Sequence, residues 1–311
     1  MDKFLEIIEV SHTFYIKNPN TFFSYIPVKA LERINLHIPK STTFSIVGES
    51  GSGKTTLGNI ILGALRPTKG DVRWNGNSIF SAEVRKEYLK QIHTVSQNPL
   101  SSLNPRMNVK TIIAEPLIFR KRFSRSEIEK RIMEVIEEVK LSRDILYKYP
   151  HELSGGEKQR VSIARSIVSH PSILVLDEPV SSLDVSVRAQ VLNLLMEIKK
   201  NHNLTYVYIS HDMSTTRFIS DYLLVLYKGR VMEFGESEKV FSYPTNPYTR
   251  FLLFSVPGQT LVPEFQVVQR DEKGQGCPFY DRCPLASGIC MKSFPDPREV
   301  SKGHISYCHN A

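Results

Sequence analysis

Two patterns of hydrophobic and polar positions divide most of the chain into strands and helices. Short apolar runs without a helical period predict buried strands, whereas apolar residues three or four positions apart predict amphipathic helices. The predicted strands are Thr43–Val47, Ile173–Leu176 and Thr205–Ile209. The predicted helices run from Lys54 to about Leu65, from Ser124 to Val139, and from Val185 to Lys200. Ser124 and Glu127 fit the capping-box pattern that begins a helix.

Turn signals predict two hairpins beside these elements. The turns and their flanking segments are Asn75-Gly76 within Asp71–Phe80, and Lys228-Gly229 between Leu223–Tyr227 and Val231–Phe234. Strands that alternate with helices predict an α/β sheet with antiparallel pieces at its margins. The helical and strand periods fade after about Ser255, where Gly, Pro and Cys become frequent, so a domain boundary and a loop-rich tail are predicted there.

Composition and charge place the chain among folded proteins but do not choose its partner. Of its 311 residues, 41% are hydrophobic and 23% are charged, and the formal net charge is +8. A basic surface suits nucleic acid, anionic lipid or nucleotide equally well. No apolar run approaches the ~20 residues of a membrane-spanning helix, and Met1–Phe4 lacks the basic-then-apolar form of a secretory signal. We therefore expect a chain that stays in the cytosol and needs partner subunits for any role at a membrane.

A phosphate-binding loop is predicted at residues 48–55, which fit the pattern G-x-x-x-x-G-K-[ST] between a strand and a helix. Its glycines let successive N–H groups point inward as an anion nest, and the following helix adds the positive end of its dipole. Lys54 is predicted to bind the β- and γ-phosphates, and the Thr55 hydroxyl to bind Mg²⁺. The predicted nucleotide contacts are Gly48, Glu49, Ser50, Gly51, Ser52, Gly53, Lys54, Thr55 and Thr56.

Two acidic residues follow a predicted buried strand. Ile173–Leu176 is apolar throughout and runs directly into Asp177 and Glu178. Parallel strands carry such residues to the edge of the sheet where α/β proteins bind ligands. Asp177 is predicted to hold Mg²⁺ through water, and Glu178 to polarise the attacking water. The other interpretation, an acid pair at a helix N-terminus, is weakened by the phosphate-binding loop in the same chain.

One segment carries a resemblance to a known family. Leu153–Arg160 reads Leu-Ser-Gly-Gly-Glu-Lys-Gln-Arg and resembles the signature sequence of ABC ATPases. It lies between the phosphate-binding loop and the acid-bearing strand, as in that family. In the family this helix start does not contact its own nucleotide but closes on the γ-phosphate bound to a second ATPase subunit. The resemblance therefore implies that Ser154, Gly155, Gly156 and Glu157 form a second anion site in a head-to-tail dimer.

The remaining landmarks of the family fall in residues 4–255. They are Gln97, similar to the glutamine of the Q-loop, Ser181–Asp184, similar to the D-loop, His211, similar to the switch histidine, and Phe14 or Tyr15, similar to the aromatic residue that stacks on adenine. Taken alone, each has an ordinary alternative: a surface glutamine, a structural histidine, or a core or edge-strand aromatic residue. Together the resemblance implies catalytic roles for Lys54, Gln97, Glu178 and His211, Mg²⁺ binding by Thr55, Gln97 and Asp177, and a nucleotide contact by Asp184.

The resemblance also implies an architecture. We expect an α/β fold with a P-loop NTPase (RecA-like) core, an antiparallel β subdomain and a helical subdomain. The ATPase domain is expected at residues 1–255, its helical subdomain at about 98–165, and a small cysteine-containing C-terminal extension at 256–311. Within the helical subdomain, the family has a groove that receives short helices from membrane subunits.

Two further segments sharpen the resemblance toward one kind of transporter. Ser96–Arg106 resembles the long Q-loop of oligopeptide and dipeptide importers, and Tyr243–Arg250 resembles the end of their ATPase domain. The implied partners are a second, related ATPase subunit in a heterodimer, two integral membrane permease subunits and an extracytoplasmic solute-binding protein, with no nucleic acid. The implied location is peripheral, at the cytoplasmic face of a prokaryotic inner membrane. Importers of nickel or another small solute, and non-transport ABC ATPases that act on the ribosome or DNA, remain alternatives.

Four cysteines lie in the last 35 residues and none before them. Cys277, Cys283, Cys290 and Cys308 are separated by gaps of five, six and seventeen residues, unlike the C-x₂₋₄-C pairs of structural zinc sites. Irregularly spaced thiolates can hold a [4Fe–4S] cluster, and some peptide-importer ATPases carry one in the matching tail. Zinc and free thiols remain alternatives, and a disulfide framework is disfavoured in a reducing cytosol. The nearby His304 and His309 are predicted to be surface histidines.

Overall fold

The computed structural model describes residues 4–18, 24–97, 103–120, 123–254 and 276–311. Contacts divide the chain into two compact units, one of Met1–Ser81 with Tyr208–Ala311 and the other of Ala82–Val207. Within the described ranges, no helix combines the length and apolar character needed to cross a bilayer.

Strands and helices alternate along the described chain. The strands are β1 (Leu5–Lys17), β2 (Tyr25–Ile38), β3 (Thr43–Val47), β4 (Lys69–Trp74), β5 (Asn77–Ser78), β6 (Ile92–Val95), β7 (Ile173–Asp177), β8 (Thr205–Ser210), β9 (Tyr222–Tyr227), β10 (Arg230–Glu236), β11 (Arg298–Ser301) and β12 (His304–Ser306). The α-helices are α1 (Lys54–Ile61), α2 (Ala82–Gln91), α3 (Val109–Phe119), α4 (Arg125–Glu138), α5 (Gly155–Ile167), α6 (Val185–His202), α7 (Met213–Ile219), α8 (Ser237–Ser242), α9 (Pro247–Phe254) and α10 (Gly288–Lys292). Short 3₁₀ helices occupy Arg143–Tyr147, Pro150–Glu152 and Tyr280–Arg282.

The first unit contains strands from two sheets. An antiparallel sheet has the order β2-β1-β4-β5. In the other sheet β3 pairs in parallel with β9, and β9, β10, β12 and β11 follow one another in antiparallel pairs. All five residues of β3 are buried, as predicted for this strand, although Thr43 and Ser45 are polar. This buried strand fixes the backbone that leads into the loop at Gly48.

The second unit combines helices with a parallel strand pair. β6 pairs with β7, so that Ile92 lies opposite Ile173. Helix α4 begins with the predicted capping box, in which the Ser124 hydroxyl accepts from the Glu127 N–H and the Glu127 carboxylate accepts from the Ser124 N–H. Its buried residues include Ile132 and recur at helical spacing.

The predicted strands and helices named above are confirmed, with small shifts at their ends. Helix α1 ends at Ile61 rather than near Leu65, because Gly63 takes a φ of 69° that ends the helical path. At the predicted hairpin turns, Asn75-Gly76 and Lys228-Gly229 all have positive φ values between 43° and 80°. Positive φ at both central residues is the geometry of type I′ turns, which match the twist of the flanking strands.

Most of residues 276–311 lie in loops and turns, as predicted for the tail, but the segment also contains short elements that were not predicted. This segment contains α10, β11 and β12, and β12 adds to the sheet by pairing with β10, with Glu233 opposite Ser306. Elements of three to five residues are too short to show a period in the sequence, and tertiary pairing determines them. The boundary predicted near residue 255 falls in 255–275, and the helical subdomain was predicted to start near residue 98. Both positions lie outside the described residues, so these limits stay predictions.

Candidate functional site

The phosphate-binding loop joins β3 to α1 within the first unit. Gly48 has a φ of 153°, and a Cβ atom there would lie 2.1 Å from the carbonyl oxygen of Leu226, so the loop needs glycine at this position. Gly53 is the N-cap of α1 with a φ of 103°, and among the described residues no side chain caps this helix. No described side chain therefore caps the first turn of this helix, and the binding of phosphate there stays a prediction.

Lys54 is held inside this loop. Its residue surface is only 7% exposed, and Nζ donates to the carbonyl oxygens of Gly48 and Glu49 at 2.7 and 2.8 Å. The Ser52 hydroxyl is buried and has no hydrogen-bond partner among the described residues. The Lys54 cation and the buried Ser52 hydroxyl beside the start of α1 fit a triphosphate, because a buried hydroxyl without a partner is unfavourable. Ser50, Gly51 and Thr55 are exposed, and Thr56 is partly buried.

Three residues outside the motif support the loop, and sequence reasoning missed them. The N–H of Gly229 donates to the carbonyl oxygen of Ser52 at 2.9 Å. The Tyr248 hydroxyl accepts from the N–H of Glu49 at 2.9 Å. Arg282 donates to both carboxylate oxygens of Glu49, each at 2.8 Å. No local sequence pattern links these distant positions to the loop, and only the folded first unit brings them together.

The other predicted residues of the first unit are accessible. Phe14 and Tyr15 lie on β1 with 41% and 67% of their surfaces exposed. The ring of Phe14 meets that of His12 edge to face, with centroids 4.5 Å apart. Exposed rings on a strand can stack on a base, so the core alternative is excluded for both. His211 directly follows β8 and is exposed. The adenine and switch roles stay predictions.

In the second unit the two predicted acids end strand β7. Asp177 is the last residue of the strand, and Glu178 follows with a φ of 47°. Positive φ is unusual for a non-glycine residue and often marks a functional position. The side-chain amide of Gln97 donates to Glu178 Oε2 at 2.7 Å. The fold thus joins two predicted catalytic residues that lie 81 positions apart in the chain.

The predicted signature residues begin helix α5. Ser154 is its N-cap, its hydroxyl accepts from the Glu157 N–H at 3.3 Å, and the Glu157 carboxylate accepts from the Ser154 N–H at 2.8 Å. These hydrogen bonds from Ser154 lower the pKa of Glu157. Gly155 and Gly156 form the first turn, and a Cβ atom on Gly156 would lie 2.8 Å from Val187 Cγ1. The helix start confirms the predicted local structure, while its γ-phosphate role stays a prediction.

Asp184 begins the next helix in the same way. Its carboxylate accepts from the N–H of Val187 at 3.0 Å and from the hydroxyl of Ser186 at 2.7 Å. These hydrogen bonds lower the pKa of Asp184. The structure gives this residue a capping role for α6, and the predicted contact with nucleotide stays a prediction.

Comparison with known proteins decides the family. The family described as ABC transporter matches residues 31–181, and the family described as oligopeptide/dipeptide transporter, C-terminal region, matches residues 232–290. The oligopeptide transport ATP-binding protein AppF of Bacillus subtilis is 36% identical over 98% of this chain and 96% of its own length. The chain belongs to the ABC transporter ATP-binding proteins. The dipeptide transport ATP-binding protein DppF of Haemophilus influenzae is 38% identical over 90% of this chain and 89% of its own.

Solved structures of ABC cassettes have the same fold. CbiO1 of Clostridium perfringens, part of an ABC transporter complex, aligns with a TM-score of 0.68 at 27% identity over 78% of this chain and 92% of its own. MJ0796, whose structure is a dimer bound to ADP and phosphate after hydrolysis, aligns with a TM-score of 0.66 at 28% identity over 75% of this chain and 98% of its own. These matches confirm the predicted α/β ATPase fold.

The four cysteines of this ABC ATPase share one small cavity. Cys277, Cys283, Cys290 and Cys308 all line it, and none of the four forms a disulfide. Burial raises the pKa of Cys277 to about 12 and also raises the pKa of Cys308. Within the part of the chain that the structure describes, no three His, Cys, Asp or Glu side chains form a ready metal-binding group.

His304 is not the surface histidine that was predicted. It is 2% exposed, and its Nε2 lies 2.7 Å from Oε1 of the fully buried Glu233. The pairing of β12 with β10 carries this histidine inside, which the sequence could not show. His309 is partly exposed, and its Nε2 lies 3.1 Å from the carbonyl oxygen of Ser293.

A groove on the second unit combines apolar surface with positive charge. Its lining includes Leu89, Phe119 and Phe123 and the basic residues Lys86, Lys90, Arg120 and Arg165. His93 lies in the same groove, and its pKa is lowered to about 4 by burial and by the charges of Arg120 and Arg165. Arg165 also pairs with Glu115 at 2.7 Å. With His93 neutral, the positive charge of the groove comes from its lysine and arginine side chains.

Proposed function

We propose that this ABC ATPase supplies the energy for importing dipeptides or oligopeptides across a prokaryotic cell membrane. The observation that carries the proposal is similarity to peptide transport ATP-binding proteins over nearly the whole chain, including the separate C-terminal region. The ATPase motifs show that the energy comes from ATP but do not name the solute. The C-terminal match points to peptides ahead of nickel or another small solute.

Each unit supplies its own part of the proposed hydrolysis. In the first unit, Lys54 and the open N–H groups of the loop bind the phosphates and hold their charge. In the second unit, Glu178 orients and deprotonates the attacking water, and Gln97 holds the carboxylate by its hydrogen bond. His211 is assigned the family's switch role as a proposal.

The donor atoms fit magnesium as the partner ion of ATP. Mg²⁺ prefers oxygen ligands and keeps several waters. The candidate donors are the exposed Thr55 hydroxyl and the side-chain oxygens of Asp177 and Gln97. When bound, Mg²⁺ would neutralise charge on the β- and γ-phosphates. The assignment of these three residues to the ion is part of the proposal.

A second ATPase subunit is part of the proposed machine. The start of α5 presents the N–H groups of Gly155 and Gly156 and the N-cap Ser154. We assign these groups to the γ-phosphate of ATP on the partner subunit, in a head-to-tail pair. The dimeric MJ0796 structure supports such pairing between related cassettes. ATP binding then favours the closed pair and hydrolysis releases it. We further propose that the second subunit is a related chain, which makes a heterodimer.

The groove on the second unit is the proposed contact for permease subunits. Its exposed Leu89 and Phe119 suit one face of a short helix, and its cations Lys86 and Lys90 suit acidic side chains on that helix. Two integral membrane permeases and an extracytoplasmic solute-binding protein complete the proposed transporter. The ATPase would then lie peripherally at the cytoplasmic face.

The cysteine cavity is the proposed site of a [4Fe–4S] cluster. All four thiols line it, although no metal-binding group is formed within the described residues, so their side chains would have to turn inward. Bound iron would hold the thiols as thiolates despite the raised pKa of Cys277. Anaerobic purification followed by iron and acid-labile sulfide analysis tests this. Stoichiometric zinc or metal-free thiols would overturn it.

Peptide uptake by cells tests the transport proposal. In cells that lack their own copy of this gene, the native chain should restore uptake of a labelled di- or oligopeptide, and Glu178→Gln should not. Glu178→Gln should still associate with membranes and bind ATP, because only water activation is lost. Glu134→Gln on the exposed face of α4 is the matched control and should restore uptake. Peptide uptake that does not depend on the native chain would contradict the proposal and direct the search to nickel.

A further inference from the structure

An arginine of the C-terminal extension contacts the phosphate-binding loop. Arg282 lies in the 3₁₀ helix between Cys277 and Cys283. Its two terminal nitrogens donate to the two carboxylate oxygens of Glu49, both at 2.8 Å. A two-pronged arginine–carboxylate pair fixes orientation as well as distance. A residue 233 positions away in the chain therefore holds the second residue of the loop.

Arg282 is itself held in place. Its guanidinium lies 4.6 Å from the ring centre of Phe251 and 5.5 Å from that of Phe279. Aromatic faces near a guanidinium attract its charge and restrict its side chain. The hydrogen bonds to Glu49, the largest influence, raise the pKa of Arg282 above its usual range. The Arg282 side chain is thus held in one orientation by Glu49 and the two aromatic rings.

The extension is anchored firmly enough to transmit this contact. Phe279 is 1% exposed and packs against the rings of Tyr227 and Tyr248. The buried pair of His304 with Glu233 adds a second anchor at β10. The segment that carries Arg282 therefore moves with the core of the first unit.

Glu49 is the junction between this anchor and Lys54. Its carboxylate binds Arg282, its N–H donates to Tyr248, and its carbonyl oxygen accepts from Lys54 Nζ. Every polar group of Glu49 thus has a partner, and one of them is the phosphate-binding lysine. Holding Glu49 in advance reduces the ordering that ATP must impose on the loop when it binds.

We propose that Arg282 is a positioning residue for ATP: through Glu49 it holds the phosphate-binding loop in its binding conformation. This role goes beyond peptide transport and rests only on ATP binding by the loop. It gives the C-terminal extension a direct part in the ATPase cycle. A structural change in the turn between Cys277 and Cys283 would therefore alter the phosphate-binding loop through Arg282 and Glu49.

Equilibrium ATP titration of the purified full chain tests the proposal. Arg282→Ala should raise the Kd for ATP about fivefold, the scale expected for a partly exposed, well-ordered ion pair. Arg282→Lys keeps the charge but cannot form the two-pronged contact, so it should give an intermediate Kd. Arg298→Ala is the matched control, because Arg298 is an exposed arginine of the same extension. Its Kd should equal that of the native chain.

A double-variant cycle separates positioning from simple stabilisation of the extension. If Arg282 acts through Glu49, Glu49→Gln and Arg282→Ala together should raise the Kd no more than the larger single effect. Independent, multiplying effects would overturn the proposal, and so would an Arg282→Ala Kd within twofold of native. If Arg282→Ala fails to fold in thermal unfolding, Arg282→Lys with Glu49→Gln completes the cycle. Peptide uptake is measured separately, so a solute other than peptide would leave this result unchanged.

Discussion

The starts of α1 and α5 are both predicted to bind phosphate, yet they are built in opposite ways. In the first unit, α1 starts at Gly53 without a side-chain cap among the described residues. In the second unit, α5 starts at Ser154 with a complete capping box formed with Glu157. At α1 no described side chain accepts from the first-turn N–H groups. At α5 the capping box satisfies two of the backbone N–H groups.

The difference matches the two tasks proposed for these helices. A loop that binds ATP within its own chain is held by neighbours such as Tyr248 and Arg282, so its N–H groups can face a ligand. A helix start that meets phosphate only on a partner subunit must stay stable while it is empty. The capping box supplies that stability. The backbone N–H groups of Gly155 and Gly156 stay accessible, because these residues have no side chains to cover them. A helix N-terminus can therefore be stabilised either by residues distant in the chain, as at α1, or by its own capping box, as at α5.

Removing the buried cation of the loop should give the largest effect. Lys54→Ala deletes the charge that now binds the carbonyl oxygens of Gly48 and Glu49. Two charge-assisted hydrogen bonds to phosphate would be lost, so the Kd for ATP should rise about 100-fold or more. Titration of the isolated chain measures this, with the exposed Lys130→Ala as control. A Kd within threefold of native would remove Lys54 from phosphate binding.

Crowding the start of α5 should affect hydrolysis but not binding by the isolated chain. Gly156→Ala places a Cβ atom 2.8 Å from Val187 Cγ1, so the helix start must shift. Small misplacements of catalytic groups cost about 100-fold per ångström, and a shift of a few tenths should lower ATP turnover of the assembled transporter about tenfold. The Kd of the isolated chain should stay within twofold. A Kd change as large as the turnover change would contradict the division of labour between the two helix starts.

Removing the N-cap hydroxyl from α5 and, separately, from α4 tests whether Ser154 does more than cap its helix. Ser154→Ala and Ser124→Ala each break a capping box, at the start of α5 and of α4 respectively. Each should lower the free energy of unfolding by about 1 kcal/mol, measured by urea denaturation. Only Ser154→Ala should also lower ATP turnover of the assembled transporter, because only Ser154 is assigned to phosphate. Equal turnover in the two variants would reduce Ser154 to a structural cap.

Motifs whose chemistry is local could be predicted from the sequence. The loop at residues 48–55 and the acids at the end of β7 appear where their strand and helix signals place them. The start of α5 at Ser154 also followed from its residues. In each case the structure depends on neighbours within a few positions, which a local pattern records.

Features that depend on distant contacts could not be predicted. The support of Glu49 by Arg282, the burial of His304 against Glu233, and the pairing of β12 with β10 all join distant segments. Periodicity carries no information on such contacts, because short segments take their structure from what they meet. The tail was therefore expected to be loop-rich, and the contact of its Arg282 with Glu49 was not predicted.

Acid should weaken the start of α5 through its capping carboxylate, and this is the smallest effect expected. Hydrogen bonds with Ser154 lower the pKa of Glu157 below its ordinary value near 4.5. A lowered pKa in the folded state means that the stabilisation is complete above the ordinary pKa and is lost as the pH falls through the folded-state pKa. Hydrogen exchange of the Ser154 N–H, which donates to Glu157, should therefore lose protection as the pH falls through the lowered pKa of Glu157.

Glu157→Gln provides the control for this measurement, because its side-chain oxygen can still accept from Ser154 but does not titrate. Its exchange should follow only the intrinsic pH dependence of amide exchange. Glu127, which caps α4 with a similarly lowered pKa, should show the same loss of protection at Ser124. The uncapped first turn of α1 should show no such step, since no carboxylate caps it among the described residues. If the first turn of α1 lost protection over the same pH range, the loss at α5 could not be attributed to its capping carboxylate.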